Sequence, residues 1–322
     1  MGTKKILIYK IIQVFIEYFQ DIWSFLRYNG YSPFEPLDRR LSNKILIDAH
    51  TIEKGLTIPN PRPHFGGDKI CALLDMAMQQ GDSVQDDLPR KMLIGALRDY
   101  RDTFSDVPPP DPFLAARIDA FLDSSATANA LGGVRIIADM TDVERSESVI
   151  AFLKARFSAR NFGQRGLSDA EIASVISVAQ RAPSQCNRQS VRVHVYRDRS
   201  RISKLLELQR GARGFIELVP TLFVVTSEIT AWGGAEQRNQ FYIDGGIYTM
   251  MLLLALEAHG FVSCPLNLAL SNQNERVIKK FGDISASERL IVMIAAGSAP
   301  DEPLHVACSP RRSTDSITRL HD

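Results

Sequence analysis

Two runs in the second half of the chain, Thr221-Leu-Phe-Val-Val-Thr226 and Leu290-Ile-Val-Met-Ile-Ala-Ala296, are apolar or β-branched at every position and too short to be helices. They read as strands buried inside a sheet. Val191-Arg-Val-His-Val-Tyr196 alternates instead, the pattern of a half-buried strand. Between these runs apolar residues recur at helical spacing, which predicts helices over 169–181, 202–210 and 241–259, the last stopped by Gly260. Ser168, with Glu171 three residues on, is a capping-box signature. Residues 146–156 open this section with a further helix. Upstream the helical period predicts elements over 4–28, 41–54, 68–80 and 88–103, with a short one running to Ala120. Leu122 to Gly133 turns to Ser, Ala, Thr, Asn and Gly and reads as the linker. The expected organisation is a helical N-terminal extension or lid, residues 1–143, followed by an α+β unit, residues 144–322.

Length and composition agree with two such units. A chain of 322 residues with 45% hydrophobic and 23% charged residues is neither disordered, nor collagen-like, nor a multi-span membrane protein. Lys and Arg number 38 against 37 Asp and Glu, a net charge of +1. No global field therefore draws nucleic acid, and any anion site must be local. The four cysteines are far apart and include no C-x-x-C pair, so no zinc site is expected and a reducing cytoplasm is. The apolar N-terminal run is interrupted by Lys10, Gln13, Glu17, Gln20 and Asp21. A spanning helix needs about 20 mostly apolar residues. With acids and bases mixed on its polar face, the helix is expected to pack on its own protein or a dimer partner rather than lie in a membrane surface.

Two clusters carry chemistry. Arg156-Phe-Ser158-Ala-Arg160-Asn-Phe162 sets two forked guanidinium donors around a hydroxyl, a set suited to a phosphate monoester. Pro183-Ser184-Gln185-Cys186-Asn187-Arg188-Gln189 ends a helix and opens a loop dense in amide and hydroxyl groups, which could grip a ribityl chain or a heterocycle edge. Downstream come Asp244-Gly245-Gly246 within the apolar helix, the expected loop Ser263-Cys264-Pro265-Leu266-Asn267, and the basic tail Ser309-Pro310-Arg311-Arg312-Ser313.

In this order and spacing, from about Phe152 to Arg312, the pieces resemble the nitroreductase family of FMN-binding NAD(P)H oxidoreductases. The resemblance implies an α+β fold with a central mixed or antiparallel sheet flanked by helices. It also implies a homodimer with FMN at the subunit interface, NADH or NADPH as co-substrate, and a small organic acceptor of nitro, quinone or enone type. Arg156, Ser158 and Arg160 would hold the FMN phosphate and ribityl end, with Arg311 or Arg312 adding charge from the tail. The Pro183-Ser184 turn would present Asn187 and Gln189 to the flavin across the interface, and Pro265-Leu266 would lie against the isoalloxazine. Cys264 reads as a small buried apolar residue beside the ring. No separate catalytic side chain is implied, because the chemistry belongs to the flavin.

The chain departs from the family in having Ser190-Val191 after Gln189, where Pro-Trp is often found, and Phe157, where many members carry a second arginine. A short segment with Trp232-Gly-Gly234 and Arg238 is the expected lid, with Arg238 a candidate substrate contact. The helical first section is the largest departure. Within it His50 and Glu53 lie three apart on one helix face; a helix-ending hydrogen-bond network is expected of them rather than a metal site, and they are also candidate substrate contacts. The segment His50 to Gly66 resembles extensions of nitroreductase-like proteins from bacterial surface-polysaccharide clusters. The competing reading is a nitroreductase-fold scaffold or flavin-binding protein without turnover.

Overall fold

The computed structural model describes residues 2–80, 87–125, 129–135, 147–307, 309 and 311–321, with side chains from residue 11 onward. The expected boundary at 143–144, Cys308 and Pro310 lie outside the described residues. Four strands, β1 (Val191–Tyr196), β2 (Thr221–Glu228), β3 (Phe261–Asn267) and β4 (Glu288–Ser298), form one antiparallel sheet in the order β1-β2-β4-β3. All eight residues of β2 are buried because both faces of the sheet are covered. On one face Leu222, Val224, Cys264, Met293 and Ala295 pack under α8 (Arg199–Gln209) and α10 (Asn272–Gly282). On the other, Phe223, Val225, Ile294 and Ala296 meet α7 (Asp169–Ala179) and α9 (Gln240–Ala258). α9 is long and apolar enough to cross a membrane, yet Leu252, Leu253, Ala255 and Leu256 are spent on this core. Gly260 ends it with φ +76°, a conformation that glycine adopts without a Cβ penalty.

The first section builds a separate core. α2 (Leu37–Leu56), α3 (Gly67–Gln80), α4 (Leu88–Thr103) and α5 (Pro112–Ser124) bury Ile45, Ile52, Ile70, Leu73, Leu93, Ile94 and Leu97 among themselves. The two sections meet through a few directed contacts. Asn43 donates to the Thr230 carbonyl at 2.8 Å, and the Gly30 amide donates to the Trp232 carbonyl at 2.7 Å. A Cβ on Gly30 would stand 2.8 Å from the Thr230 oxygen, so only glycine permits this approach. The linker is stitched down rather than loose: the Leu131 amide donates to the Lys91 carbonyl and the Gly133 amide to Glu53.

α1 (Gly2–Tyr28) packs on its own chain, one of the two placements expected of it. Its polar edge and Phe25, which meets Ala231, Trp232 and Phe241, make the contact. Glu17 accepts from the Asn272 amide at 2.7 Å, Gln20 from Arg276 at 2.8 Å, and Asp21 from Arg289 at 3.0 Å. Phe15, Phe19 and Trp23 are left exposed.

One correction concerns residues 263–267, expected as a loop and found as part of β3. Pro265 cannot donate to a ladder, which argues against a central strand. β3 lies at the sheet edge, paired with β4 on one side, where the missing N–H is tolerated. α10, introduced by Ser271 whose hydroxyl accepts from the Asn274 amide, was not among the expected helices.

A split candidate cofactor site

α6 (Glu147–Ala155) ends where Arg156 begins an extended segment that runs beside β3. The Ala159 amide donates to the Ser263 carbonyl at 2.9 Å, and Ala159 and Phe162 are buried while Arg160 is exposed. Alternation along this segment thus sinks the small and aromatic residues and leaves the charged ones at the surface. Arg156 turns one guanidinium nitrogen to the Phe157 carbonyl at 2.7 Å. Among the described residues neither Arg156 nor Arg160 is ion-paired with a carboxylate, so both have charge to offer. Their field reaches Cys264: burial pushes its thiol up, and Arg160 and Arg156 pull it back. Burial likewise raises the Glu257 carboxyl, opposed by Arg156. The structure therefore brings Arg156, Ser158, Arg160, Cys264 and Pro265 to one sheet edge. Two unpaired guanidinium groups and a half-buried hydroxyl fit a phosphate monoester.

The Pro183–Gln189 loop stands before β1, at the opposite edge. Its shape is imposed by Asp244, 3% exposed on α9. That carboxylate accepts from the Ser184 hydroxyl at 2.8 Å and the Gln185 amide at 3.0 Å, while Gln240 donates to its other oxygen at 3.0 Å. Ser184 in turn accepts from the Gln189 amide at 3.0 Å. Cys186, Asn187 and Gln189 all have φ near +50°, at 52°, 52° and 50°. Three such residues in four store backbone strain, a property that clusters at binding sites. The turn 185–187 rests on α2, and Asn187 donates weakly to the Met92 sulfur at 3.6 Å. A cavity of about 480 Å³ lies between this loop, α2, α7 and β1, lined by Asn43, Leu46, Ile176, Ser184, Gln189 and Val193.

The two clusters do not meet within one chain. Four strands at about 4.8 Å spacing separate them. Other expected site residues are redistributed. Leu266 turns into the core beneath α8 and α10, 7% exposed, so its side chain is not available to a ligand. Arg311 and Arg312 are exposed, and Arg311 donates within its own tail to the Ser309 carbonyl. Arg238 is exposed and donates to the Ala235 carbonyl at 2.9 Å. His50 and Glu53 are paired at 2.7 Å, and the other Glu53 oxygen accepts the Gly133 amide at 2.9 Å, the hydrogen-bond network expected of the pair, here fastening the linker. Asp244 is the residue whose role sequence reasoning missed. Its signal was there: an acid set in an apolar run must find donors.

The model for the Nitroreductase family matches residues 153–212, which include both clusters. This segment is nitroreductase-like. Solved structures with a similar part include the hypothetical oxidoreductase YcnD from Bacillus subtilis, at 19% identity, a TM-score of 0.47, and coverage of 54% of this chain and 74% of that one. A nitroreductase-like protein from Streptococcus mutans gives 18% identity and a TM-score of 0.47 over 55% of this chain and 98% of its own. An FMN-dependent nitroreductase from Clostridium difficile gives 17% identity and a TM-score of 0.45 over 54% and 99%. No curated protein sequence matches the chain. The α+β arrangement expected from the nitroreductase resemblance is present, with an all-antiparallel sheet and a helical section ahead of it.

Proposed function

We propose that the protein is an FMN-dependent oxidoreductase that draws reducing equivalents from NADH or NADPH and works as a homodimer. The observation that carries this reading is the Arg156-Ser158-Arg160 segment, with both guanidinium groups free of carboxylate partners among the described residues, inside the stretch matched by the family model. FMN, when bound, supplies the hydride-accepting and hydride-donating chemistry. The chain's own residues bind and orient. Arg156 and Arg160 neutralise the phosphate, Ser158 donates to it, and the half-buried Pro265 offers a flat apolar edge beside them. Because Asn187 and Gln189 stand at the far edge of the sheet, they serve a site only when a second copy brings its loop to the first copy's arginines. α9 supports that pairing with an exposed apolar row, Ile243, Ile247 and Met250.

The acceptor side is read from the cavity against α2. Its lining mixes Ser, Asn, Gln and the charged Arg188, Arg192 and Asp244 with Ile, Leu and Val, which suits a small organic acceptor with both polar and apolar parts. The helical section closes that side and excludes water, a role consistent with the expected lid. The test is the visible spectrum of the purified, dialysed protein under anaerobic NADH or NADPH. A flavin spectrum that bleaches supports the reading; a colourless protein that FMN cannot reconstitute overturns it and leaves the scaffold.

A further inference from the structure

Arg188 lies between Asn187 and Gln189 and stands at the border of the acceptor cavity and a second, smaller one. Its guanidinium stacks over the Trp232 indole at 5.1 Å and donates to the Ala231 carbonyl. Two donors are left over. Arg188 Nε and Trp232 Nε1 are both buried and have no acceptor among the described residues. Trp232 is wholly buried. Buried donors are normally satisfied, and a pair of orphans on stacked groups calls for an acceptor.

Both residues line a cavity of about 280 Å³ between α2 and residues 230–233. Arg40 and Lys44 reach it from α2. The acid in the lining is Asp48, which Lys44 holds at 2.8 Å and Lys69 at 3.5 Å. Arg40 has no ion pair among the described residues. The lining therefore carries an excess of positive charge, while Leu41 and Ile47 give it an apolar wall. None of Arg156, Ser158 and Arg160 belongs to it, so it stands apart from the proposed phosphate contacts.

We infer that this cavity is a binding site for a small organic acid, a carboxylate carried on an apolar body. The carboxylate oxygens accept from Arg188 Nε and Trp232 Nε1, drawn in by Arg40, and the apolar body rests on Leu41 and Ile47. A single chain builds the site, so it exists whether or not flavin is bound.

The chain has two tryptophans. Replacing the exposed one, Trp23→Phe, leaves Trp232 as the sole indole and makes its fluorescence a direct report on the cavity. Benzoate is the probe, titrated into flavin-free protein. The expected result is a saturable change in Trp232 emission, at least about tenfold weaker in Arg188→Gln and about threefold weaker in Arg40→Gln, with the latter difference shrinking in salt. Neutral benzamide should give no comparable response, and sulfate should bind more weakly than benzoate. No saturable response to benzoate overturns the inference. So does an equal response to benzamide, or sulfate binding as tightly as benzoate. Arg188→Gln also removes the bond to Ala231; if that variant fails to fold, Arg40→Gln on the outer side of α2 decides, and unchanged benzoate affinity in it overturns the site.

Discussion

Asp244 holds the Ser184 hydroxyl at 2.8 Å across 60 residues of sequence, so a helix in the core dictates the shape of a surface loop. Replacing it by alanine removes a charged acceptor from two loop donors and from Gln240 at once. The expected cost is about 3 kcal/mol, with Asp244→Asn milder, measured by chemical denaturation. If the loop presents Asn187 to a partner's flavin, Asp244→Ala also weakens FMN binding without touching the phosphate contacts. Wild-type stability in Asp244→Ala would remove the anchor role.

Arg156→Ala and Arg160→Ala should each weaken FMN binding about tenfold or more, the effect of losing a charge-assisted contact to phosphate. Riboflavin, which lacks the phosphate, should bind wild type and variants alike. Flavin fluorescence titration measures both. Equal FMN affinity in the variants contradicts the phosphate assignment.

Glu171 gives the clearest pH signature. The Ser168 amide at 2.9 Å, Arg165 at 2.8 Å and the Ser168 hydroxyl at 2.8 Å hold its carboxylate down to about 2, from an ordinary 4.5. The folded state thus prefers the ionised form. Its contribution to stability is complete above pH 4.5 and is lost as pH falls toward about 2. Thermal melts between those limits should show a steeper loss in wild type than in Glu171→Gln. Parallel curves would exclude the capping box as their source.

Two separate cores predict two unfolding transitions. Leu93→Ala, at a fully buried position among the helices, should lower one by about 3 kcal/mol. Met293→Ala, fully buried in the sheet, should lower the other. Calorimetry reads both. If either variant shifts the two transitions together, the sections unfold as one unit.

Much of this structure was legible in the residues. The buried runs at Thr221 and Leu290 became β2 and β4, each extended by polar ends, Ser227-Glu228 and Glu288-Arg289, that hydropathy does not mark as strand. The helix at 88–103 matched at both ends, because Pro89 opens it and its apolar spacing is regular. β3 was hidden by Pro265, since nothing local tells an edge strand from a loop. The phosphate-binding candidates could be read because arginines on one short segment are a local signal. What could not be read was their separation from Asn187 and Gln189, which depends on the order β1-β2-β4-β3. The pairing of His50 with Glu53 could be read from their spacing, but its tie to Gly133 could not. A paired acid and base on a helix look the same whether they await a substrate or, as here, hold Gly133.

The division of the proposed flavin contacts between opposite edges of the sheet has a genetic consequence. In a homodimer each site takes its arginines from one chain and its Asn187 loop from the other. A chain carrying Arg156→Ala and a chain carrying Asn187→Ala are then both defective alone. In a mixed dimer the two lesions fall together in one site and leave the other whole. Two inactive alleles expressed in the same cell should therefore complement each other, recovering up to half the activity of each dimer they share.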